Sequence, residues 1–283
     1  MTMRIFLAGA TGIIGRHLLP LLLADGHHVT GTSQTPQGAA RLDSAGATGI
    51  RLDVFDRDSV GRTLAEAAPE VVIHQLTALS GGSSADNARM RRAGTRSLVD
   101  AARAAGVRRI VAQSISWAYE PGEEPATEAA PLDVTAPEPR ATTITGIRAL
   151  EETVTELPEH VILRYGTLYG PGTWYAPGAL MAAKLHSGEL AANDAVSSFV
   201  HIDDAARAAV SALSWPSGPV NITDDEPAPA HTWLPILAAA LGAPAPARTA
   251  GRSGWERGAA NSAAHKLGWR PEHSTWRDGF DGR

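Results

Sequence analysis

The sequence predicts an α/β fold in which a doubly wound parallel sheet carries helices on both faces. Short apolar or β-branched runs alternate with longer amphipathic segments through the first 165 residues. A glycine-rich segment with Gly9, Gly12 and Gly15 separates the first such run from the first helix-like segment. Strands that alternate with helices of this length imply right-handed crossovers and therefore a parallel sheet.

Six strands and several helices are predicted in this part of the chain. The predicted strands span residues 5–8, 28–32, 48–52, 71–74, 109–113 and 161–165, and the predicted helices include 15–24, 58–67, 87–105 and 145–156. Beyond residue 165 the alternation becomes irregular and the chain is richer in glycine, proline and tryptophan. We therefore expect residues 1–165 to form one domain and residues 166–283 a smaller part, from which a strand and a helix return to the first domain.

Composition excludes several classes of function. The formal net charge is -5, with 25 lysines and arginines against 30 aspartates and glutamates, so nucleic acid is not an expected partner. Because cysteine is absent, disulfides, thiol nucleophiles and cysteine-ligated metal sites are excluded. No run approaches the roughly 18 apolar residues of a spanning helix, and the first residues lack the apolar segment of a secretion signal. We expect no membrane partner and predict a cytoplasmic protein.

His201, Asp203 and Asp204 combine residue types that can bind a metal ion. Carboxylates that precede an alanine-rich segment more often cap the helix that follows. No metal site is therefore predicted.

The glycine-rich segment predicts a turn that binds the pyrophosphate of a dinucleotide. Its residues are Gly9, Ala10, Thr11, Gly12, Ile13, Ile14 and Gly15. Glycines at these positions allow a tight turn, bring backbone N–H groups close to the phosphates, and let the helix pack against the strand. The start of the helix also favours negative charge.

The type of cofactor is indicated about 20 residues beyond the glycines, where a carboxylate ordinarily binds the adenosine ribose. The chain reads Thr32, Ser33 and Gln34 there, and the nearest downstream arginine is Arg41. Since no acid would repel a 2′-phosphate, we favour NADP over NAD. Asp53, after the third predicted strand, is placed either to contact adenine or to cap a turn or helix.

Seven segments in order along the chain resemble motifs of the extended short-chain dehydrogenase/reductase superfamily, specifically its NAD-dependent epimerase/dehydratase group. They are residues 9–15, 53–54, 74–78, 94–95, 163–172, 199–206 and 267–271. The resemblance implies a Rossmann domain that binds NAD(P) and a smaller C-terminal part that binds a small-molecule substrate. It also implies a homodimer contact on the arginine-rich helix 87–105, for which a solvated face is the alternative.

The resemblance implies a specific set of cofactor-binding residues. They are Gly9, Thr11, Gly12, Ile13, Ile14, Gly15, Ser33, Asp53, Val54 and Thr77, with Arg148 near the nicotinamide ribose.

The catalytic core departs from the pattern of the family, whose members use a tyrosine as acid/base and a lysine four residues later. Lysine occurs only at Lys184 and Lys266, and no Tyr-x-x-x-Lys pair exists in the chain. Alignment of residues 142–152 with the family motif puts Ile144 at the tyrosine position and Arg148 at the lysine position. Isoleucine cannot move a proton, and arginine, with a pKa above about 12, is a poor proton relay.

Ser114, Ser116, Tyr119, Arg148 and Tyr165 are the predicted catalytic residues. An ungapped match places Ile115 at the family's serine position, so either neighbouring serine acts on the substrate or both make ordinary strand-end hydrogen bonds. The tyrosines follow predicted strands and are expected near the carboxyl edge of the sheet. A role in the wall of the cleft is the alternative for Tyr165 and for Tyr169. His74 is expected to be a hydrogen-bonded strand-end histidine.

Two classes of function remain open. The first is an atypical NAD(P)-dependent enzyme that acts on a small hydroxyl- or carbonyl-bearing metabolite, either as an oxidoreductase or in redox-neutral epimerisation, dehydration or cyclisation. Reduction of a ketone without a general acid would forgo roughly 10² to 10⁴ in rate. The second is a catalytically silent protein that senses NAD(P) and regulates a partner. Residues 120–140, rich in proline and acidic side chains, form either a solvated connection or a substrate lid.

Overall fold

The computed structural model describes residues 2–79 and 83–280. Its strands are β1 (Arg4–Ala8), β2 (His28–Ser33), β3 (Thr48–Arg51), β4 (Val71–His74), β5 (Arg109–Ile115), β6 (Glu159–Tyr165), β7 (Thr167–Tyr169), β8 (Val196–Ser197), β9 (Phe199–His201), β10 (Gly218–Ile222) and β11 (Ala228–Pro229). Seven of them form one sheet in the order β10-β6-β5-β4-β1-β2-β3. The pairs β1–β2, β1–β4, β2–β3 and β4–β5 are parallel. The predicted α/β fold of Rossmann type is confirmed.

Helices connect the parallel strands. They are α1 (Ile13–Ala24), α2 (Pro36–Ser44), α3 (Arg57–Ala67), α4 (Ser84–Arg89), α5 (Thr95–Ala104), α6 (Arg140–Val154), α7 (Leu180–His186), α8 (Ile202–Ser211), α9 (Ala230–Ala240) and α10 (Ser262–Lys266). A π-helical turn, Met90–Gly94, joins α4 to α5, and a 3₁₀ turn spans Trp276–Asp278. None of the helices in the described residues is long and apolar enough to cross a membrane.

The six predicted strands are all present, and their ends lie within two residues of prediction. The helices deviate more. The segment predicted as one helix, 87–105, is divided by the π-helical turn, and α6 begins at Arg140 rather than at residue 145. Pro139 stands just before α6, where a proline is tolerated because the first N–H groups of a helix have no partner within it.

The chain divides into two compact units. The first comprises residues 1–114, 134–163 and 206–219, and the second comprises 115–133, 164–205 and 220–283. In the first unit, Phe6 and Ala8 lie two residues apart on β1, so both side chains point to the same face of the sheet. They are buried there with Val72 of β4 and with Val60 and Leu98 from the helices.

The second unit has an aromatic core. Its buried rings belong to Tyr169, Phe199, Trp233, Trp276 and Phe280. The rings of Phe199 and Trp233 meet edge to face, with centroids 5.2 Å apart. Such contacts stabilise aromatic pairs beyond the burial of their area.

Candidate functional site

The glycine turn between β1 and α1 is shaped by close backbone contacts. Gly9 has φ +88°, and a Cβ there would lie 2.8 Å from the carbonyl oxygen of Gln75. A Cβ on Gly15 would lie only 2.3 Å from the carbonyl oxygen of Gly9. Gly12, at the start of α1, is exposed, and no side chain caps the helix there. This helix start therefore leaves backbone donors available to an anion, which fits the pyrophosphate of a dinucleotide.

Ser33 connects the glycine turn to the start of α2. Its Oγ lies 3.4 Å from Thr11 Oγ1 and accepts a hydrogen bond from Thr35 N at 3.3 Å. Thr32 Oγ1 accepts a hydrogen bond from Gly9 N at 3.2 Å. Ser33 is 6% exposed, so its position holds the loop together, and the cofactor contact expected of it stays a prediction.

A small, largely apolar pocket lies beside the glycine turn. It is lined by Phe6, Ala8, Thr32, Gln34, Leu52, Val54, Leu76 and Leu98. Its volume is about 20 Å³, far below that of a ligand cleft, so it marks an apolar wall beside the turn rather than a formed binding site. Of the predicted cofactor residues, Val54 lies in this wall. Asp53 is exposed and accepts a hydrogen bond from Phe55 N at 3.0 Å, and Thr77 is exposed beyond β4.

The two remaining predicted cofactor residues of the turn begin α1. Ile13 is half-buried and Ile14 is 4% exposed. Ile14 therefore anchors the first turn of the helix in the core of its unit, which fixes the direction of the backbone donors.

The position expected to hold the acid/base is apolar and closed to solvent. Ile144, on α6, is 1% exposed. One turn further along α6, Arg148 donates from Nε to Glu152 Oε1 at 2.6 Å, and both side chains are exposed. The assignment of these two positions to the family's tyrosine and lysine stays a prediction.

The two serines of the predicted catalytic set make hydrogen bonds within the protein. Ser114 Oγ donates to Glu151 Oε1 at 2.6 Å, and both residues are buried. Ser116 is also buried, and its backbone N donates to the carbonyl of Tyr165 at 2.9 Å. These are ordinary hydrogen bonds at the end of a strand, one of the two alternatives that the sequence allows for the serines. Contact of either serine with a substrate stays a prediction.

The tyrosines of the predicted set lie in the second unit and are buried. Tyr119 OH donates to Asn221 Oδ1 at 2.5 Å and accepts from Arg164 Nη1 at 2.9 Å. Tyr165 OH donates to the carbonyl of Ala205 at 3.2 Å. Each hydroxyl therefore has a structural partner, and a role in acid/base chemistry stays a prediction for both.

The remaining tyrosines are poor acid/base candidates. Burial raises the pKa of Tyr169, and the carboxylates of Asp224 and Asp278, both ionised at the alkaline pH at which a tyrosine titrates, act in the same direction. Burial alone raises the pKa of Tyr175. Neither hydroxyl ionises near neutral pH.

His74 is bonded at the end of β4, as the sequence indicated. Its Nε2 lies 2.9 Å from Thr95 Oγ1, and its Nδ1 accepts a hydrogen bond from Leu76 N at 3.2 Å. Burial lowers the pKa of His74 to about 4, so the ring is neutral at physiological pH and holds β4 against the helical segment.

Comparison with known proteins agrees with this geometry. The model of the NAD dependent epimerase/dehydratase family matches residues 5–223. The chain belongs to this family. A 3-diazoavenalumate denitrifying reductase from Streptomyces sp is 44% identical over 305 aligned residues, which cover 98% of this chain and 99% of that protein. A UDP-glucose 4-epimerase from Mycolicibacterium smegmatis is 36% identical over 48% of this chain and 46% of that protein.

Solved structures of epimerase/dehydratase type share the fold. The UDP-glucose 4-epimerase of Thermus thermophilus, a complex with NAD, has a TM-score of 0.76 and is 25% identical over 98% of this chain and 96% of that one. The Bordetella bronchiseptica enzyme WbmG, in complex with NAD and UDP, has a TM-score of 0.79 and is 22% identical over 100% of this chain and 93% of that one. The resemblance read from the motifs is therefore confirmed at the level of family and fold.

The family's His-x-Asp-Asp segment has mainly a structural setting here. His201, Asp203 and His273 bring one potential ligand atom each within 4.8 Å of one another. However, His201 Nδ1 accepts a hydrogen bond from Asp203 N at 3.3 Å, and the His201 and His273 rings stack with centroids 3.7 Å apart. Asp204 accepts hydrogen bonds from the backbone of Glu272 and His273 at 2.8 and 2.9 Å. It thus joins two chain segments rather than only capping α8, and the expected absence of a metal stays a prediction.

Of the residues in the pocket wall, only Val54 is among those that the sequence assigns to the site. Gln34 and Leu76 are the two of the others whose positions in the chain carry a signal. Gln34 follows β2 directly and Leu76 lies two residues beyond β4, so both stand at the carboxyl edge of the sheet. β2 and β4 lie on either side of β1, and the place of Gln34 and Leu76 just after these two strands is the signal that identifies them.

Proposed function

We propose that this protein is a nicotinamide-dependent reductase that removes dinitrogen from the diazo group of a carboxylate metabolite. The observation that carries the proposal is the burial of Ile144, which the motif alignment assigns to the position of the family's proton donor. The relative of nearly equal length, 44% identical, is named as a denitrifying reductase of 3-diazoavenalumate. Together they favour a reduction that needs no general acid.

The chemistry explains why the loss of an acid is tolerable. A diazo group on an unsaturated ring is a diazonium cation. Replacement of its C–N bond by a C–H bond takes two electrons and one hydrogen, which together are one hydride. Dinitrogen leaves with the electron pair of the broken bond, so no oxygen or nitrogen atom of the product has to be protonated. Reduction of a ketone, in contrast, leaves an alkoxide that requires a proton.

The chain's own residues have three tasks in this scheme. The glycine turn and the start of α1 would hold the pyrophosphate, and Asp53 and Val54, just after β3, would lie beside the adenine. A reduced nicotinamide supplies the hydride when it is bound. Ile144 keeps the reaction face apolar, which excludes water that could otherwise attack the diazonium carbon. Because the end of β2 offers Gln34 and no carboxylate, we propose NADP as the preferred cofactor.

The proposal is tested with purified protein, NADPH or NADH, and the diazonium salt prepared from 3-aminocinnamate. We expect protein-dependent loss of nicotinamide absorbance and formation of cinnamate, with NADPH the better donor. Nicotinamide deuterated at its hydride-donating carbon should place deuterium on the ring, whereas deuterated water should not. Reactions without protein control for spontaneous reduction.

Two results would refute the proposal. One is turnover no faster than in the protein-free reaction. The other is redox-neutral conversion of a UDP-sugar by the same preparation together with no reduction of the diazonium salt, which would favour epimerase chemistry instead.

A further inference from the structure

Arg91 is a buried cation that the scheme above does not use. It lies in the π-helical turn between α4 and α5 and is 7% exposed. Among residues 2–79 and 83–280, no hydrogen bond or ion pair is made by its guanidinium. Burial lowers the pKa of Arg91 to about 10, so it remains charged at neutral pH. A buried charge without a counter-ion is costly, and π-helical turns occur frequently at functional sites.

The neighbours of Arg91 along the helix fix where it lies. Asn87 and Thr95 stand four residues before and after it and therefore share its side of the helical segment. Asn87 Oδ1 accepts a hydrogen bond from Ala78 N at 3.0 Å, and Thr95 Oγ1 lies 2.9 Å from His74 Nε2. Both partners belong to the end of β4 or the segment after it. Arg91 therefore lies at the carboxyl edge of the sheet, where open α/β sheets bind their ligands.

Contact with α6 fixes the stem of Arg91. A Cβ on Gly146 would lie 3.0 Å from Ala88 Cα and 3.5 Å from Arg91 Cδ. Gly146 thus allows the two helical segments to approach closely, with the arginine stem packed on α6 two residues from Ile144. The result is a positive charge whose stem is held against the same helix, α6, that carries Ile144.

We propose that Arg91 binds the carboxylate of the substrate. This inference rests on the proposed function, which gives the substrate both a carboxylate and a diazonium cation. A guanidinium matches a carboxylate with two parallel hydrogen bonds, and the pair would relieve the cost of burying the charge. The same guanidinium repels a diazonium group. Arg91 would therefore set the direction in which the substrate enters, with its carboxylate towards α4 and its diazonium carbon away from it.

The test measures binding rather than turnover, so that it can fail independently of the proposed function. Cinnamate and its neutral analogue cinnamamide are titrated calorimetrically into the protein saturated with oxidised cofactor. The variants are Arg91→Met, Arg91→Lys and, as matched control, Arg92→Met, because Arg92 is exposed in the same turn. Cofactor affinity and thermal unfolding are measured for each.

We expect Arg91→Met to weaken cinnamate binding about 10- to 100-fold, the range for a charged hydrogen-bonded pair, and to leave cinnamamide unchanged. Arg91→Lys should retain part of the preference for cinnamate, and Arg92→Met all of it. If Arg91→Met does not fold, Arg91→Lys is compared with the wild type instead, because lysine keeps the positive charge but cannot form the two parallel hydrogen bonds of a guanidinium. If cinnamate binds through Arg91 and the diazonium salt is not reduced, the proposed function fails and the role of Arg91 stands.

Three results would overturn the role of Arg91. They are unchanged cinnamate affinity in the Arg91 variants, equal weakening of cinnamate and cinnamamide, and a loss of cofactor affinity as large as that of cinnamate. The last would assign Arg91 to a cofactor phosphate.

Discussion

Asp224 makes the stability of the protein depend on pH in a direction unusual for an aspartate. The residue is 1% exposed. Its Oδ1 accepts a hydrogen bond from Glu226 N at 3.3 Å, whereas Oδ2 has no hydrogen-bond partner in the described part of the chain. Burial raises the pKa of Asp224 to about 8, and the charges of Glu226 and Asp225 act in the same direction, against the backbone hydrogen bonds that lower it.

The sign follows from proton linkage. The folded protein keeps Asp224 protonated up to about pH 8, whereas the unfolded chain releases this proton near its ordinary pKa of about 3.9. Folding therefore retains one proton over this interval, and stability decreases as the pH rises through it. One retained proton lowers the free energy of unfolding by about 1.4 kcal/mol for each unit that the pH rises. Between about pH 5 and pH 8, Asp224 alone should therefore lower it by about 4 kcal/mol.

Asp224→Asn isolates this contribution, because an amide of the same shape does not titrate. Equilibrium urea unfolding of the wild type and the variant is measured across this pH range, and the difference between the two is plotted. We expect the variant to gain about 4 kcal/mol over the wild type as the pH rises. Glu123→Gln, an exposed acid in the same unit, is the matched control and should give a flat difference. A difference for Asp224→Asn that stays constant within about 1 kcal/mol would refute the buried, protonated carboxyl.

Three further predictions concern the first unit. Gly15→Ala should abolish cofactor binding in calorimetric titrations, because the added Cβ would lie 2.3 Å from the carbonyl oxygen of Gly9. Gly61→Ala is the control and should bind the cofactor normally, since a Cβ on Gly61 meets no atom within 4 Å. Because the pKa of His74 is about 4 in the folded protein, the unfolded chain takes up a proton at higher pH than the folded one. The free energy of unfolding should therefore fall by about 3 kcal/mol as the pH decreases from about 6.5 to 4. His74→Gln should reduce this fall, measured by urea unfolding. Ile144→Tyr should destabilise the fold by about 1–3 kcal/mol, because the larger side chain overpacks a buried position. It should not accelerate diazonium reduction in the nicotinamide absorbance assay. A faster variant would contradict a mechanism without a proton donor.

The parts of the fold that sequence could predict are those in which local pattern and tertiary structure agree. The strands of the first unit are buried apolar runs bounded by turns, so their positions follow from composition alone. The glycine turn could be predicted because Gly15 is required by close approach of Gly9 O within the same short segment, and Gly9 by its own φ of +88°. Its consequence, a dinucleotide-binding fold, needs no knowledge of distant contacts.

What could not be predicted depends on contacts between distant segments. The π-helical turn interrupts a segment whose sequence has helical periodicity throughout. Nothing in the local sequence of Met90–Gly94 predicts the wider turn, in which hydrogen bonds span five residues instead of four. The partners of Tyr119 lie at Asn221 and Arg164, far along the chain, so no local pattern predicts the hydrogen bonds of its hydroxyl. The same holds for Arg91, whose burial results from the approach of α6 at Gly146.

Arg148 shows how a predicted role and an observed contact can both hold. Its ion pair with Glu152 joins side chains that are 56% and 63% exposed, four residues apart on α6. Pairs of this kind contribute only about 0.3–0.5 kcal/mol. A hydrogen bond from a guanidinium to a ribose hydroxyl in a closed site contributes more, about 1.5–3 kcal/mol. Arg148 would therefore lose little by leaving Glu152 for a ribose hydroxyl, and its place near the nicotinamide ribose stays a prediction.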